Sequence, residues 1–312
     1  LSIELNKEVL ILDGGMGREL QRQGAPFRQP EWSALAMIEA PEMVESVHQA
    51  FIENGSQVIT TNSYALVPFH IGEKRFQEQG LSLAESAGKV ARQAVEKSAA
   101  QVQVAGSIPP LFGSYRPDLF DPARVTELAT PLIQGLAPHV DFWLAETQSL
   151  IAETCAIKAL LDKLLPEHKK PLLVSFTLDD TEPTSTPRLR SGELVRDAIS
   201  AMANLNVDAI LFNCCQPEFI QQALQIATTT LQKSGTEQIR LGAYANAFPP
   251  QPKDATANDG LDELRKDLDP QAYLQWAKQW QQSGASLIGG CCGIGPEHIH
   301  ELKTYFTHGV KQ

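Results

Sequence analysis

PLLVSF, residues 171–176, is too short for a helix and is apolar at neighbouring positions rather than at alternate ones. A half-exposed strand would alternate. A run apolar on both faces is the mark of a parallel strand covered on both sides. Working outward, runs of the same kind stand at 9–13 (VLILD), 57–62 (QVITTN), 102–107 (VQVAGS), 140–146 (VDFWLAE), 207–212 (VDAILF), 238–245 (QIRLGAYA) and 285–290 (ASLIGG). Helical patterns separate them. Met43, Val44, Val47, Ala50 and Phe51 share one helical face, and Asn54-Gly55 supplies a stop. Leu83, Ala84, Ala87, Ala91, Ala94 and Val95 repeat the pattern, as do Tyr273, Trp276 and Trp280, and then Pro296, Ile299, Leu302 and Phe306. Asp121-Pro122 and Asp269-Pro270 read as a cap followed by proline in the first turn.

Eight strand–helix units predict an α/β chain folded as a closed (β/α)₈ TIM barrel, a single domain over residues 1–312. The competing fold is an open doubly wound sheet. It usually carries a glycine-rich phosphate turn after its first strand. Here Asp13-Gly14-Gly15-Met16-Gly17 lacks the third glycine of that turn, and position 18 is arginine. Segments 108–120, 178–192 and 247–262 have no clear period, and each follows a strand run. In a barrel, connections of that length after strands build the functional face.

Composition narrows the function. The chain has 37 acidic and 26 basic residues, a net charge of −11, which argues against nucleic acid or an anionic membrane as partner. No apolar stretch approaches the ~20 residues of a membrane span. The first residues lack the charged-then-apolar layout of a signal peptide. Five cysteines in 312 residues are no secreted disulfide scaffold, so a cytoplasmic protein with reduced thiols is expected.

Four of those cysteines form adjacent pairs, Cys214-Cys215 and Cys291-Cys292, each at the end of a strand run. Strand ends converge on one rim, and thiolates gathered there suit a soft metal, most commonly Zn²⁺. Neighbouring residues of a strand point to opposite sides, so one member of a pair would normally miss the metal. Cys291-Cys292 lies beyond its strand among Gly289, Gly290 and Gly293, where the backbone can turn both sulfurs inward. Cys214-Cys215 has no such glycines, and one of that pair is expected to serve. Three ligands leave a fourth position open, as in catalytic zinc sites. The alternatives are buried inert thiols or a redox disulfide. Cys155 lies in a helical stretch and reads as core.

Asp13 ends the first strand run and Glu146 ends the fourth. Two acids at one rim would hold an ammonium group, and bare amides at Gly14 and Gly15 would hold a carboxylate. Together they would suit an amino acid. The plainer alternative is that Asp13 caps the next helix and Glu146 pairs with a local arginine. No H-E-x-x-H, serine nucleophile elbow or Walker-type loop occurs. Trp32, Tyr64 and Tyr115 stand near connecting segments, as pocket walls or as packing.

These residues together resemble the zinc-dependent homocysteine S-methyltransferases, above all the single-domain type that uses S-methylmethionine or S-adenosylmethionine. The resemblance runs through LDGGMG (12–17), EWSA (31–34), TTNSY (60–64), GSIPPLFGSY (106–115), AET (145–147), SFTLDD (175–180), NC (213–214) and GGCCG (289–293). It implies a (β/α)₈ barrel with Cys214, Cys291 and Cys292 on one zinc ion and an open fourth position for the substrate thiol. Cys215 has no counterpart among the ligands. It implies Asp13 and Glu146 on the amino group of L-homocysteine, and the amides around Gly14 and Gly15 on its carboxylate. Trp32, Thr61, Tyr64, Tyr115, Asn213 and Asn246 are expected about the pocket or on the side of the methyl donor. The chain departs from the family after the seventh strand run, where Tyr244-Ala245-Asn246-Ala247-Phe248 replaces a Tyr-Pro-Asn-Ser-Gly type of segment, and after the third, which reads SYRPD. Both departures concern the donor. Betaine, or a methyl-corrinoid or folate on a partner protein, are the alternative donors. A non-enzymatic zinc or redox protein is the alternative class.

Overall fold

The computed structural model describes residues 8–308, apart from 168, 183, 253 and 255–262. His168, the ends of the 1–312 span and part of the 247–262 segment therefore lie outside the described residues. Every strand run forms a strand, most of them trimmed at the ends: β1 (Leu10–Ile11), β2 (Val58–Thr60), β3 (Gln103–Ile108), β4 (Phe142–Gln148), β5 (Leu172–Phe176), β6 (Ala209–Asn213), β7 (Arg240–Tyr244) and β8 (Ala285–Ile288). All pair in parallel, in the order β1-β8-β7-β6-β5-β4-β3-β2. The order never reverses, so there is no switch point and no doubly wound sheet. At the remaining seam, Gln57 N–H donates to the Ile11 carbonyl (2.8 Å) and the Gln57 side chain accepts from Ile11 N–H (3.1 Å). The barrel is thus nearly closed.

The helices are α1 (Met16–Arg22), α2 (Ala34–Glu39), α3 (Pro41–Glu53), α4 (Pro68–Ile71), α5 (Glu73–Glu96), α6 (Val125–Leu136), α7 (Ile151–Leu164), α8 (Val195–Asn204), α9 (Pro217–Ser234), α10 (Pro270–Gln282) and α11 (Pro296–His308). The expected faces are the buried ones: Val44, Val47 and Phe51 on α3, Ala84, Ala87, Ala91 and Ala94 on α5, Tyr273 and Trp280 on α10. Asp269 caps α10 through Ala272 N–H (2.8 Å). Asp121 caps a 3₁₀ turn, Pro122–Arg124, that leads into α6. No described helix is long and apolar enough to cross a membrane.

Two apolar layers result. The larger lies between sheet and helices. The smaller fills the barrel and includes Leu12, Ala105, Phe142, Leu144, Leu173, Ala209, Leu211 and Leu287. Strand parity carries this interior upward by two residues at a time. Ala105 leads to Ser107, Leu144 to Glu146, Leu173 to Ser175, and Leu211 to Asn213. The barrel's oily core is therefore capped at its C-terminal end by a layer of polar side chains, and the chemistry sits on that layer.

Candidate metal and substrate site

Glu146 rests on the polar layer. Ser107 Oγ donates to its Oε1 (2.6 Å) and Tyr244 OH donates to its Oε2 (3.1 Å). A bulge in β4 between Ala145 and Gln148 places Thr147 at φ 57°, and Thr147 and Asn213 are doubly bonded, Thr147 N–H to Asn213 Oδ1 (3.0 Å) and Asn213 Nδ2 to Thr147 Oγ1 (2.9 Å). Ser175 Oγ also donates to Asn213 Oδ1 (2.7 Å). Asp13 sits at the barrel seam. Its carboxylate accepts from Thr60 N–H (2.7 Å) and Thr60 Oγ1 (3.1 Å). Asp13 therefore does not cap α1, whose N-cap is Gly15, and among the described residues Glu146 has no arginine partner.

Neither acid is ion-paired among the described residues. Burial pushes the Asp13 carboxyl up to about 7, against the pull of Thr60, and the neighbouring Glu146 adds to the rise. Burial also raises Glu146, opposed by the bonds from Ser107 and Tyr244. Two buried carboxyls without a counter-ion favour a cation between them.

The sulfurs of Cys214, Cys291 and Cys292 all lie within 4.8 Å of one another. Cys214 has φ 50°, so the chain turns sharply at the end of β6 and its side chain leaves the strand's alternation. Its carbonyl accepts from Tyr115 OH (3.3 Å) and Thr177 Oγ1 (3.1 Å). Cys215 is fully buried in the outer core, where burial pushes its thiol up. This turn selects Cys214 from the pair. On the other side, Gly293 takes φ 83°, and a Cβ on Gly15 would stand 2.6 Å from the Cys291 carbonyl oxygen and 2.9 Å from Cys292 Cα. Only bare glycine allows the Asp13–Gly15 turn to press against the two cysteines.

Cys214 and Cys291 are joined as a disulfide in this structure. The reason is proximity: sulfurs near enough to share a metal are near enough to bond to each other. Opened to thiolates, the three cysteines provide a soft donor set of the kind that binds a thiophilic metal, so the residues fit such an ion.

Around these groups lies a cavity of about 460 Å³. Of the expected donor-side residues, Trp32, Thr61, Tyr64 and Tyr115 line it, with Phe27 and Phe248. Thr61 Oγ1 also accepts from Ser107 N–H (3.0 Å). Asn213 and Asn246 stand behind the residues that line it. Asn213 is bonded beneath the floor as described, and fully buried Asn246 accepts from Phe248 N–H (3.2 Å). Gly15 N–H donates to the Ile294 carbonyl (2.9 Å), so of the two expected amides that of Gly14 is left for a carboxylate. Four of the five described non-glycine residues with positive φ (Trp32, Tyr115, Thr147 and Cys214) line the cavity, the usual address of backbone strain. Sequence reading missed Thr60, Ser107 and Tyr244 as holders of the acids. Strand parity alone would have found Ser107, two residues beyond inward-facing Ala105.

The family model described as homocysteine S-methyltransferase matches residues 10–306. The homocysteine S-methyltransferase of Escherichia coli (strain K12) is 30% identical, over 95% of each chain. Homocysteine S-methyltransferase 1 of Brassica oleracea var. italica is 26% identical, over 94% of this chain and 91% of the relative. Among solved structures, the metallated form of the homocysteine methyltransferase MmuM from Escherichia coli superposes with a TM-score of 0.75 at 28% identity, covering 96% of each chain. The oxidized form of the same enzyme gives 0.75 at 27%, covering 95% of each.

Proposed function

The chain belongs to the homocysteine S-methyltransferase family and moves a methyl group to the thiol of homocysteine; from that premise we propose that the donor is a small sulfonium, S-methylmethionine or S-adenosylmethionine, and that the metal is a single zinc ion. Cys214, Cys291 and Cys292 would hold the zinc. When bound, it supplies a Lewis acid that favours the thiolate form of a thiol whose free pKa is near ~8.5. A cytoplasmic setting accords with a site that needs these cysteines reduced.

The chain's own residues do the rest. Asp13 and Glu146 receive the ammonium group of L-homocysteine, each already oriented by hydrogen bonds to its other lone pairs. The amide of Gly14, with the first turn of α1 behind it, receives the carboxylate. The amino-acid end is thereby fixed, and the side chain is aimed toward the cysteines. Phe27, Trp32, Tyr64, Tyr115 and Phe248 face the remaining space, and aromatic faces attract a sulfonium cation. In the transfer, the donor's S–CH₃ bond breaks and its electron pair stays on the donor sulfur, while the homocysteine thiolate forms the new S–CH₃ bond. The thiol proton has gone to solvent beforehand, and the neutral leaving sulfur needs no general acid. The work of the protein is alignment and exclusion of water.

The observation that carries this reading is the juxtaposition of three sulfurs within 4.8 Å with two buried, unpaired carboxyls in one cavity. The test is methionine formation from L-homocysteine and S-methylmethionine by reduced, zinc-loaded protein. Turnover with betaine alone, or with no sulfonium, would overturn the donor. Full activity in a metal-free Cys291→Ala protein would overturn the metal.

A further inference from the structure

Arg190 and Asp180 form an ion pair set back from the cavity, Nη1 to Oδ1 at 3.2 Å, with side chains 3% and 2% exposed. Neither lines the cavity. Both lie in the connection between β5 and α8, yet their bonds leave it in three directions. Arg190 Nη2 donates to the carbonyls of Gln251 (3.1 Å) and Pro252 (2.7 Å), in the connection after β7. Its guanidinium lies over the Tyr115 ring at 5.1 Å, in the connection after β3. Asp180 Oδ1 accepts from Gln251 N–H (3.3 Å), and Oδ2 accepts from Gln216 N–H (3.1 Å), two residues beyond Cys214. Tyr115 closes the circuit by donating to the Cys214 carbonyl (3.3 Å).

Stability alone does not explain the pair. Removing two charges from water costs about as much as their attraction returns, and apolar residues of the same volume would serve as well. Arg190 Nε even lacks a partner among the described residues. What apolar residues would not supply is direction: a planar fork and a carboxylate fix four backbone groups and a ring at set distances. Tyr115, Gln251 and Pro252 are all cavity-lining.

We propose that the Asp180–Arg190 pair is a positioning device for the methyl donor. It holds the Tyr115 and Gln251–Pro252 wall in register with the Cys214 turn, so that the donor methyl and the acceptor thiol meet in line. The residues that bind the amino-acid end of homocysteine, Asp13, Gly14 and Glu146, have no bond to the pair, so the two substrates are affected differently. This rests on the reading of the cavity as a thiol site beside a sulfonium site.

The test measures both KM values and zinc content in Arg190→Met, Arg190→Lys and the charge-neutral double variant Asp180→Asn/Arg190→Met. The double variant removes the buried unpaired carboxylate that would otherwise threaten folding. The expected result is a rise of about tenfold in the KM for S-methylmethionine, with the KM for homocysteine within about twofold and one zinc retained. Lysine, which lacks the fork, should not restore the donor KM. Amide hydrogen exchange at Gln216 and Gln251 should quicken about tenfold in Arg190→Met. A donor KM within twofold of wild type in a folded variant overturns the proposal, and so does an equal rise in both KM values. Wild-type protein that turns over no sulfonium donor strikes the functional reading itself and the donor role with it, whereas wild-type turnover with unsplit KM values strikes only the positioning role.

Discussion

At Glu146 the charge matters more than the shape. Gln keeps both hydrogen-bonding partners in reach but removes the negative charge that would meet an ammonium group. A hydrogen bond to a charged group is worth ~1.5–3 kcal/mol, so Glu146→Gln is expected to raise the KM for homocysteine by ~10- to 100-fold. Zinc content should stay at wild-type level, because Glu146 is no ligand. Equal KM values in variant and wild type would remove Glu146 from the substrate site. The cysteine pair makes a second prediction at this scale. Cys214→Ala should abolish metal retention. Cys215→Ala should keep the metal and cost ~1–2 kcal/mol of stability, the usual toll of a small cavity in a packed core. Metal analysis and thermal denaturation of the two proteins decide it. Loss of metal in Cys215→Ala would mean that the turn at Cys214 presents the other sulfur.

Glu153 shows what a helix does for the connection above it. It is buried in the first turn of α7, and it accepts from Leu111 N–H (2.8 Å) in the connection after β3. Burial raises its carboxyl from 4.5 to about 7, against the pull of that bond. The folded form therefore holds a proton that the unfolded chain would release above 4.5. Its contribution to stability is full below about 4.5 and is lost as pH rises through about 7, a swing of ~3 kcal/mol. Gln at this position keeps the acceptor and carries no charge. Glu153→Gln is expected to match wild type near pH 5 and to exceed it in Tm near pH 8.5. Parallel Tm–pH curves for the two proteins would overturn this. Asp13 shifts in the same direction, so the comparison reads only the difference between the proteins.

Across the whole molecule, the barrel gathers sulfurs from strand ends 77 residues apart in sequence. The oxidised and reduced chains should differ by two titratable thiols, and metal uptake should follow reduction. Zinc binding measured with and without a thiol reductant checks this: about one equivalent is expected in the reduced protein and far less in the oxidised one. Equal uptake in both states would show that Cys214 and Cys291 are not both ligands. A disulfide and a metal would compete for the same sulfurs, so an active preparation is expected to be a reduced one.

The eight strands, the helical faces and the placement of both cysteine pairs at strand ends were legible in the sequence by itself. They follow from local rules: the period of apolar residues, the caps, the glycines beside Cys291-Cys292. Asp13 and Glu146 were legible for the same reason, as carboxylates at the ends of apolar strands. Only the tertiary structure decided the remainder. The resemblance names Cys214 over Cys215, but the physical ground for it is tertiary: a positive φ, held by Tyr115 from 99 residues away in sequence. Tyr244 reaches Glu146 over 98 residues. Asn213, which looks like a cavity residue in sequence, is turned into the wall by bonds to Thr147 and Ser175 that only the closed barrel makes, whereas the buried Asn246 side chain is bonded to Phe248 N–H two residues on. The Asp180–Arg190 pair draws its partners from three other connections and has no signature in any one of them. Local periodicity writes an element into a short window of sequence, whereas a site assembled at a barrel's rim is set by turns and long-range hydrogen bonds between windows that no local rule connects.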